Sequence, residues 1–230
     1  MDGLKESLLN GGACLVGYAD LSEVPAEARG GMRTGISLAV ALDRKVLDET
    51  LEGPTRAIRA DYDRANAILV ALHERAGRFL REKAFRAARI DAVPGNYDAG
   101  KLTARLTHKM VATRAGLGWI GNSGLLVTRD FGPAVRLWSI LTDAELRADE
   151  PVNDSQCGNC QICAKSCPAE AIVGNRWTLG LPREKLLDAF ACRKAAAAFA
   201  ERLGLKNPTC GVCMAVCPRT RRYVEGNSRD

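Results

Sequence analysis

The chain has 230 residues, a mass of 24.8 kDa, 47% apolar and 26% charged residues, and a formal charge of +6. These values are typical of globular proteins and exclude wholesale disorder, collagen-like repeats and coiled coils. The longest apolar runs, such as 36–42, are far too short to span a bilayer, and residues 1–10 carry acids where a secretion signal needs basic and then apolar residues. We therefore expect a cytoplasmic protein with no membrane partner.

The predicted elements alternate between helices and strands. The clearest is a long amphipathic helix, whose apolar residues recur in steps of three and four from Ile58 to Leu80, with no proline between 55 and 85. In chain order, the sequence predicts a short helix at 4–9, buried strands at 13–18 and 36–42, and the long helix at 55–85. A strand at 88–93, a helix at 102–114 and two strands at 125–128 and 134–141 follow.

This alternation predicts an α/β fold for residues 1–148, which we expect to hold a cofactor or substrate. Residues 148–155 are polar and contain Pro151, which favours a linker there. Residues 149–230 are then expected to form a small ferredoxin-like domain, because eight of the nine cysteines lie between 157 and 217. Thiols stay reduced in the cytoplasm, so these cysteines are expected to bind metal rather than form disulfides.

The first cysteine run has the spacing C-x2-C-x2-C-x3-C-P, which bacterial-type ferredoxins use to hold [4Fe-4S] clusters. In such proteins the fourth cysteine ligates the other cluster, so a second copy is expected. That copy is C-x2-C-x3-C-P at 210–218, with Asn207 in place of its first cysteine, and Cys192 is the nearest substitute, near the end of a helix expected to begin around Pro182. The predicted ligand sets are Cys157, Cys160, Cys163 and Cys217 for one cluster, and Cys167, Cys192, Cys210 and Cys213 for the other.

Structural zinc is the alternative for this constellation, because paired C-x2-C knuckles also bind zinc. Zinc fingers do not call for two crossed C-x3-C-P endings, which favours iron. Cys14 lies in an apolar stretch far from the others and is expected to be a buried, inert thiol.

The positive charge is confined to the end of the chain. Residues 176–230 hold eleven Lys and Arg against five Asp and Glu, whereas residues 1–175 hold 22 of each. Two [4Fe-4S] clusters with thiolate ligands would carry roughly −2 each, which would cancel most of the excess. Compensation of cluster charge is the preferred interpretation, and the alternative is a nucleic-acid surface that includes Arg219, Arg221 and Arg222.

A glycine-rich loop, RAGLGWIGNSG, occupies residues 114–124. It contains G-x-G-x-x-G, but it follows a predicted helix and precedes a strand, the reverse of the order in a dinucleotide-binding fold. A Rossmann interpretation is therefore rejected. The sequence leaves open a plain helix-to-strand turn packed against another element.

This loop, followed by LLVT at 125–128, Phe131-Gly132 and the two cysteine motifs, resembles epoxyqueuosine reductases, which are similar to corrinoid-dependent reductive dehalogenases. The resemblance is sharp from about residue 106 to residue 218. It implies an α+β sandwich of the nitroreductase-like, corrinoid-binding kind, a cobalamin, and a double-cluster domain that supplies its electrons. The residues implied to contact the cobalamin are Arg114, Gly116, Gly118, Trp119, Gly121, Asn122 and Arg136.

Several positions depart from the family pattern. Asn122 stands where the queuosine enzymes usually carry Lys, and the nearest acid before the loop is Asp98, displaced from the place of the family's proton donor. The sequence ends thirteen residues after Cys217, without the helical-repeat extension that some of these enzymes carry. We therefore expect a small-molecule substrate rather than tRNA.

Each candidate side chain also has a plain structural alternative. Asp98 and His108 are the predicted proton donors, but Asp98 could stabilise a turn and His108 could form ordinary surface hydrogen bonds. Trp119 could be core and Arg136 could form an ion pair at a strand end, and His73 is expected to be structural.

The leading hypothesis is an iron-sulfur oxidoreductase that takes electrons from a donor of the ferredoxin or flavodoxin type and reduces a small electrophile through cobalamin. One alternative is a non-catalytic electron carrier that docks a corrinoid protein. Another is a flavin-dependent reductase on the same type of fold.

Overall fold

The computed structural model of the protein describes residues 3–226. The chain divides into two compact units, neither of which is continuous in sequence. The first unit contains residues up to Ala41, Ala65–Gly118 and Arg136–Val152, and the second contains Leu42–Arg64, Trp119–Val135 and the residues from Asn153 onward. These units are groups of residues in contact, and the predicted division into an α/β domain at 1–148 and a ferredoxin-like domain at 149–230 stays a prediction.

The first unit is built on a four-stranded sheet with the order β1-β2-β8-β3. Its strands are β1 (Leu15–Asp20), β2 (Thr34–Ala41), β8 (Val135–Thr142) and β3 (Ala87–Arg89). β1 pairs antiparallel with β2, and β3 pairs antiparallel with β8. All but the last residue of β2 are buried, as expected for an inner strand without polar alternation.

Three helices cover this sheet or extend from it: α1 (Leu4–Asn10), α3 (Arg56–Glu82) and α4 (His108–Arg114). α3 buries one face at the predicted spacing, through Ala65, Leu69, Leu72, Ala76 and Leu80. α4 contacts β1 and β2, and a core cluster around Leu21, Leu106, Val111 and Leu141 joins sheet and helix. A two-stranded hairpin, β4 (Tyr97–Asp98) with β5 (Thr103–Ala104), precedes α4.

The second unit contains short elements around the cysteines. They are α2 (Arg44–Glu49), the hairpin β6 (Trp119–Ile120) and β7 (Leu126–Val127), α5 (Ile162–Lys165), α6 (Ala189–Leu203), α7 (Val212–Ala215) and α8 (Pro218–Val224). Short 3-10 turns lie at Ile90–Ala92 in the first unit and Arg183–Lys185 in the second. No helix among residues 3–226 is long and apolar enough to cross a membrane.

The α/β class and each predicted helix and strand before residue 142 are confirmed, with different boundaries. The helix predicted from 102 begins only at His108, because Leu102 has a left-handed φ of 51° and the Thr107 hydroxyl caps the helix by accepting from the Met110 N–H. The strand predicted for 88–93 ends at Arg89, where a 3-10 turn begins.

The predicted helix around Cys192 was also misplaced. The residues after Pro182 form only a 3-10 turn, Arg183–Lys185. The helix begins at Ala189, because the Asp188 side chain caps it by accepting from the N–H groups of Phe190 and Ala191. Cys192 therefore lies in the first turn of α6, not near its end.

Candidate functional site

Eight of the nine cysteines form two groups in the second unit. The first cysteine group comprises Cys157, Cys160, Cys163 and Cys217, which line one cavity together with Cys213, Gly121, Asn122 and Pro218. Within it, Cys163 interacts electrostatically with the other three thiols. The second cysteine group comprises Cys167, Cys192, Cys210 and Cys213, in which Cys213 interacts with the other three. Cys163 and Cys213 also interact across the two groups.

A glycine follows the first cysteine of each C-x2-C segment, but the two turns differ. Gly158 has a φ of 58°, whereas Gly211 has a φ of 124° and caps α7, and a glycine adopts both angles without strain. Cys163 lies on α5 and Cys213 lies on α7. These two short helices contact each other. Cys217 precedes Pro218, which opens α8.

Burial and the charge of neighbouring thiols raise the pKa of four of these cysteines in the polypeptide alone. Burial, followed by the charges of Cys217, Cys157 and Cys160, raises the pKa of Cys163 to about 11. Burial also raises the pKa of Cys192, Cys213 and Cys217, and neighbouring thiols add to each rise. Four thiolates crowded together need a cationic centre, and a metal ion deprotonates a coordinating thiol outright. The donor set therefore fits iron-sulfur clusters.

Hydrogen-bond donors are already directed at several sulfurs. The Trp119 indole N–H donates to Cys157 Sγ over 3.4 Å, and the Ala171 N–H donates to Cys167 Sγ over 3.4 Å. The backbone N–H groups of Arg219 and Thr220 act to lower the pKa of Cys217. Such N–H···S bonds stabilise the negative charge of cluster ligands. Among residues 3–226, no three His, Cys, Asp or Glu side chains are grouped as ligands of a single metal ion.

Three residues of the glycine-rich loop lie beside the first cysteine group. Trp119 is buried, with the Arg219 guanidinium 4.6 Å from its ring centre. A Cβ on Gly121 would lie 2.6 Å from a Val127 methyl and 3.4 Å from Cys157 Sγ. The buried Asn122 donates from Nδ2 to the Cys160 carbonyl over 2.8 Å. Sequence reasoning did not foresee these contacts, because no motif links residue 119 to residue 157.

The beginning of the loop is explained by packing within the first unit. Gly116 has a φ of 67° and ends α4 in a Schellman motif, in which the Leu117 N–H donates to the Ala112 carbonyl. A Cβ on Gly116 would lie 2.7 Å from the Glu150 carbonyl. Arg114 donates to the Val152 carbonyl over 2.6 Å, and burial lowers the pKa of its guanidinium. Gly118 is the last residue of this segment of the first unit.

A second concentration of polar side chains lies in the first unit around Trp138 on β8. The His108 ring stacks on Trp138 at a centroid distance of 5.7 Å, His73 from α3 lies 6.1 Å away, and the Arg89 guanidinium is 5.1 Å from the ring centre. The buried atoms His73 Nδ1, His108 Nδ1 and Trp138 Nε1 have no hydrogen-bond partner among the described residues. We call these three residues the Trp138 cluster.

Burial lowers the pKa of His108 to about 4, with the charge of Asp91 opposing the shift and those of Arg136 and Arg89 adding to it. Burial likewise lowers the pKa of His73. Both imidazoles are therefore neutral at pH 7. The sequence predicted His108 as a proton donor, but no motif indicated that its ring would pack with Trp138 and His73.

The other two candidates of the first unit lie in different surroundings. Asp98 is exposed on the β4–β5 hairpin, where its carboxylate accepts from the Lys101 N–H over 3.0 Å. Arg136 on β8 donates from Nε to Asn66 Oδ1 over 3.1 Å. Cys14 precedes β1 and is half-buried.

The geometry of the second unit defines a class of protein. Residues 156–220 match the family model described as a 4Fe-4S double cluster binding domain, so the chain carries such a domain. Part of the chain is similar in sequence to one enzyme family. Over 127 residues it is 32% identical to the epoxyqueuosine reductase of Synechocystis sp., covering 54% of this chain and 43% of that protein.

Two solved structures show the likeness in fold. An epoxyqueuosine reductase crystallised with a tRNA-Tyr epoxyqueuosine-modified stem loop has a TM-score of 0.58, with 18% identity, covering 95% of this chain and 64% of that one. A reductive dehalogenase whose structure suggests a mechanism for B12-dependent dehalogenation has a TM-score of 0.65, with 17% identity, covering 93% and 32%. The chain thus spans less than half the length of the curated reductase and about a third of the dehalogenase chain.

Proposed function

We propose that the protein is an iron-sulfur oxidoreductase in which each cysteine group holds one [4Fe-4S] cluster. The observation that carries this proposal is the presence of eight half-buried cysteines in two groups of four, with N–H donors directed at two of their sulfurs. Full thiolate ligation leaves no iron open to a substrate, so the clusters carry single electrons. The substrate chemistry then requires a further cofactor.

Anaerobic purification or reconstitution tests the clusters directly. We expect eight irons and eight acid-labile sulfides per chain, and a low-temperature paramagnetic signal after reduction with dithionite. A colourless protein that contains stoichiometric zinc and no sulfide would contradict the proposal.

We further propose cobalamin as the second cofactor, on the likeness in fold to the dehalogenase whose structure suggests B12-dependent chemistry. When bound, it supplies a low-valent cobalt that can reduce an electrophile. The glycine-rich loop gives this proposal no support, because the close neighbours that exclude a Cβ at Gly116 and Gly121 are atoms of the protein itself. The candidate contacts in the first unit are the unpartnered nitrogens of the Trp138 cluster, which would have to become accessible to pair with the amides that a corrin carries.

The two candidate proton donors take different roles in this proposal. A neutral His108 is suited to hold a polar group of the cofactor or substrate at a ring nitrogen, because its low pKa keeps it from storing a proton at pH 7. Asp98 is exposed on the β4–β5 hairpin, where solvent reaches its carboxylate. We assign the proton-delivering role to Asp98 and the positioning role to His108.

Equilibrium binding of cobalamin and of FMN to the iron-loaded protein, followed by absorption spectra, separates the candidate cofactors. We expect cobalamin to bind, and His108→Leu to weaken its binding at least tenfold without loss of iron. Retention of FMN alone would favour the flavin-dependent reductase. Retention of neither would favour the electron carrier.

The proposed substrate is a small electrophilic molecule. A tRNA substrate is the second candidate, and the observation that favours it is the likeness in fold to a reductase bound to a tRNA stem loop. At 18% identity this likeness concerns the fold alone. A tRNA-binding protein would show affinity that falls steeply with added salt, whereas we expect weak or salt-independent retention of tRNA.

A further inference from the structure

We propose that Trp119 and Arg219 raise the reduction potential of the cluster in the first cysteine group above that of the cluster in the second group. The inference rests on the proposed function, in which each group holds one [4Fe-4S] cluster. It goes beyond that function by ordering the two centres. An electron placed on the second centre would then move to the first.

The first cysteine group lies in electropositive surroundings. The Trp119 indole donates to Cys157 Sγ, and the Arg219 guanidinium lies 4.6 Å from the centre of the Trp119 ring. Arg219 also interacts electrostatically with Cys217 and Cys157. The backbone N–H groups of Arg219 and Thr220 act to lower the pKa of Cys217, and that of Ala164 acts likewise on Cys163. One hydrogen bond, three further backbone N–H groups and one cation therefore favour negative charge on this group.

Among residues 3–226, fewer backbone N–H groups act on the thiols of the second cysteine group, and an acid lies beside them. The Ala171 N–H donates to Cys167 Sγ over 3.4 Å. The carboxylate of Asp188, which caps α6, acts electrostatically on Cys192 in the first turn of that helix. No lysine or arginine among residues 3–226 contributes to the electrostatic interactions recorded for Cys192 or Cys213.

The redox step adds charge to whichever cluster accepts the electron. One electron from dithionite converts [4Fe-4S]²⁺ to [4Fe-4S]⁺, which takes the ligated cluster from −2 to −3, and no bond breaks. N–H donors and a guanidinium stabilise the more negative state, whereas a carboxylate destabilises it. The first centre is therefore reduced first.

Potentiometric titration of the full-length protein with both clusters, followed by EPR at low temperature, measures the two potentials. The variants Cys160→Ser and Cys210→Ser assign the signals, since each alters the spectrum of the cluster that loses a thiolate. We expect Trp119→Phe and Arg219→Gln each to lower the potential of the first centre by about 59 mV, a tenfold change in a one-electron equilibrium constant. Arg219→Lys keeps the charge and should restore most of the potential.

Matched variants distinguish this effect from a general disturbance. Trp177→Phe removes another buried indole of the second unit, one that donates to none of the described cysteine sulfurs, and should move neither potential. Asp188→Asn keeps an equally good helix cap, removes the charge, and should raise the potential of the second centre alone.

The outcomes separate the inference from the proposed function. Fewer than eight irons in the unmodified protein would refute the proposed function. Eight irons with the second centre at the higher potential, or with the first potential unmoved by both Trp119→Phe and Arg219→Gln, would overturn the ordering alone. If one variant loses iron, Asp188→Asn and the remaining variant still decide the question.

Discussion

Both units of the protein bury polar groups that the polypeptide does not satisfy, but they do so in different ways. In the second unit, binding of one iron-sulfur cluster by each cysteine group would account for the thiols, and their spacing along the chain predicts such clusters. In the first unit the Trp138 cluster brings together side chains from α3, α4 and β8 that no motif connects. Chemistry encoded within a short segment is visible in a sequence, whereas chemistry assembled across elements emerges only with the fold.

The largest expected effect is the loss of a whole cluster from the second unit. We expect Cys213→Ser to reduce bound iron from eight to about four per chain, because a buried cluster that loses a thiolate ligand is held poorly. Iron and sulfide analysis under anaerobic conditions measures the loss. The matched control is Cys14→Ser, which alters a half-buried thiol of the first unit and should leave all eight irons in place.

This contrast also defines how far sequence reasoning reached. The C-x2-C motifs predicted the double-cluster domain because ligand spacing is a local property, and the apolar face of α3 followed from helical periodicity. The position of Cys192 was misjudged, since a helix boundary depends on a cap, here Asp188. The bond from Trp119 to Cys157 and the stack of His108 on Trp138 depend on tertiary packing, which no spacing in this chain encodes.

The second expected effect concerns protonation of the Trp138 cluster. Burial lowers the pKa of His108 from 6.5 to about 4, so the unfolded chain binds more protons than the folded chain between these values. The stabilising contribution of neutral His108 is therefore complete above pH 6.5 and is lost as the pH falls towards 4, up to about 3 kcal/mol in all. NMR titration of the imidazole signals measures the midpoint directly.

The titration is simple because the chain has two histidines, and His73→Gln assigns the signals. We expect both midpoints to lie below 6.5, with His108 the lower. A midpoint near 6.5 for His108 would show that its ring is solvated, and would remove the basis for its proposed role in holding a neutral polar group.

A smaller effect should separate packing in the first unit from metal binding in the second. Gly17 lies in the middle of β1, where an added Cβ would come within 2.3 Å of the Ala115 carbonyl at the end of α4. We expect Gly17→Ala to destabilise the first unit by about 1–3 kcal/mol through overpacking, as measured by hydrogen exchange of β1 and β2 amides. Iron content should stay at eight.

The matched control for this substitution is Gly100→Ala, whose Cβ would meet only Asp98 Oδ1 at 3.3 Å, on the exposed β4–β5 hairpin. It should change protection by no more than about 0.5 kcal/mol. Equal effects at the two positions would mean that contact between β1 and α4 contributes little to the stability of the sheet.

The smallest expected effect is that of Trp138→Phe on the stability of the first unit. Trp138 and Trp119 differ in the hydrogen bonding of their indole N–H groups. Trp119 Nε1 donates to a cysteine sulfur, whereas the buried Trp138 Nε1 has no partner among the described residues. A buried donor without a partner costs about 1–3 kcal/mol, which Phe would relieve while giving up part of the apolar contact. We therefore expect Trp138→Phe to change the stability of the first unit by less than about 1 kcal/mol in hydrogen exchange. If Trp138→Phe destabilised the first unit by 3 kcal/mol or more, the indole N–H would have a hydrogen-bond partner in solution. Repeating the measurement on cobalamin-free and cobalamin-loaded protein would then show whether the cofactor is that partner.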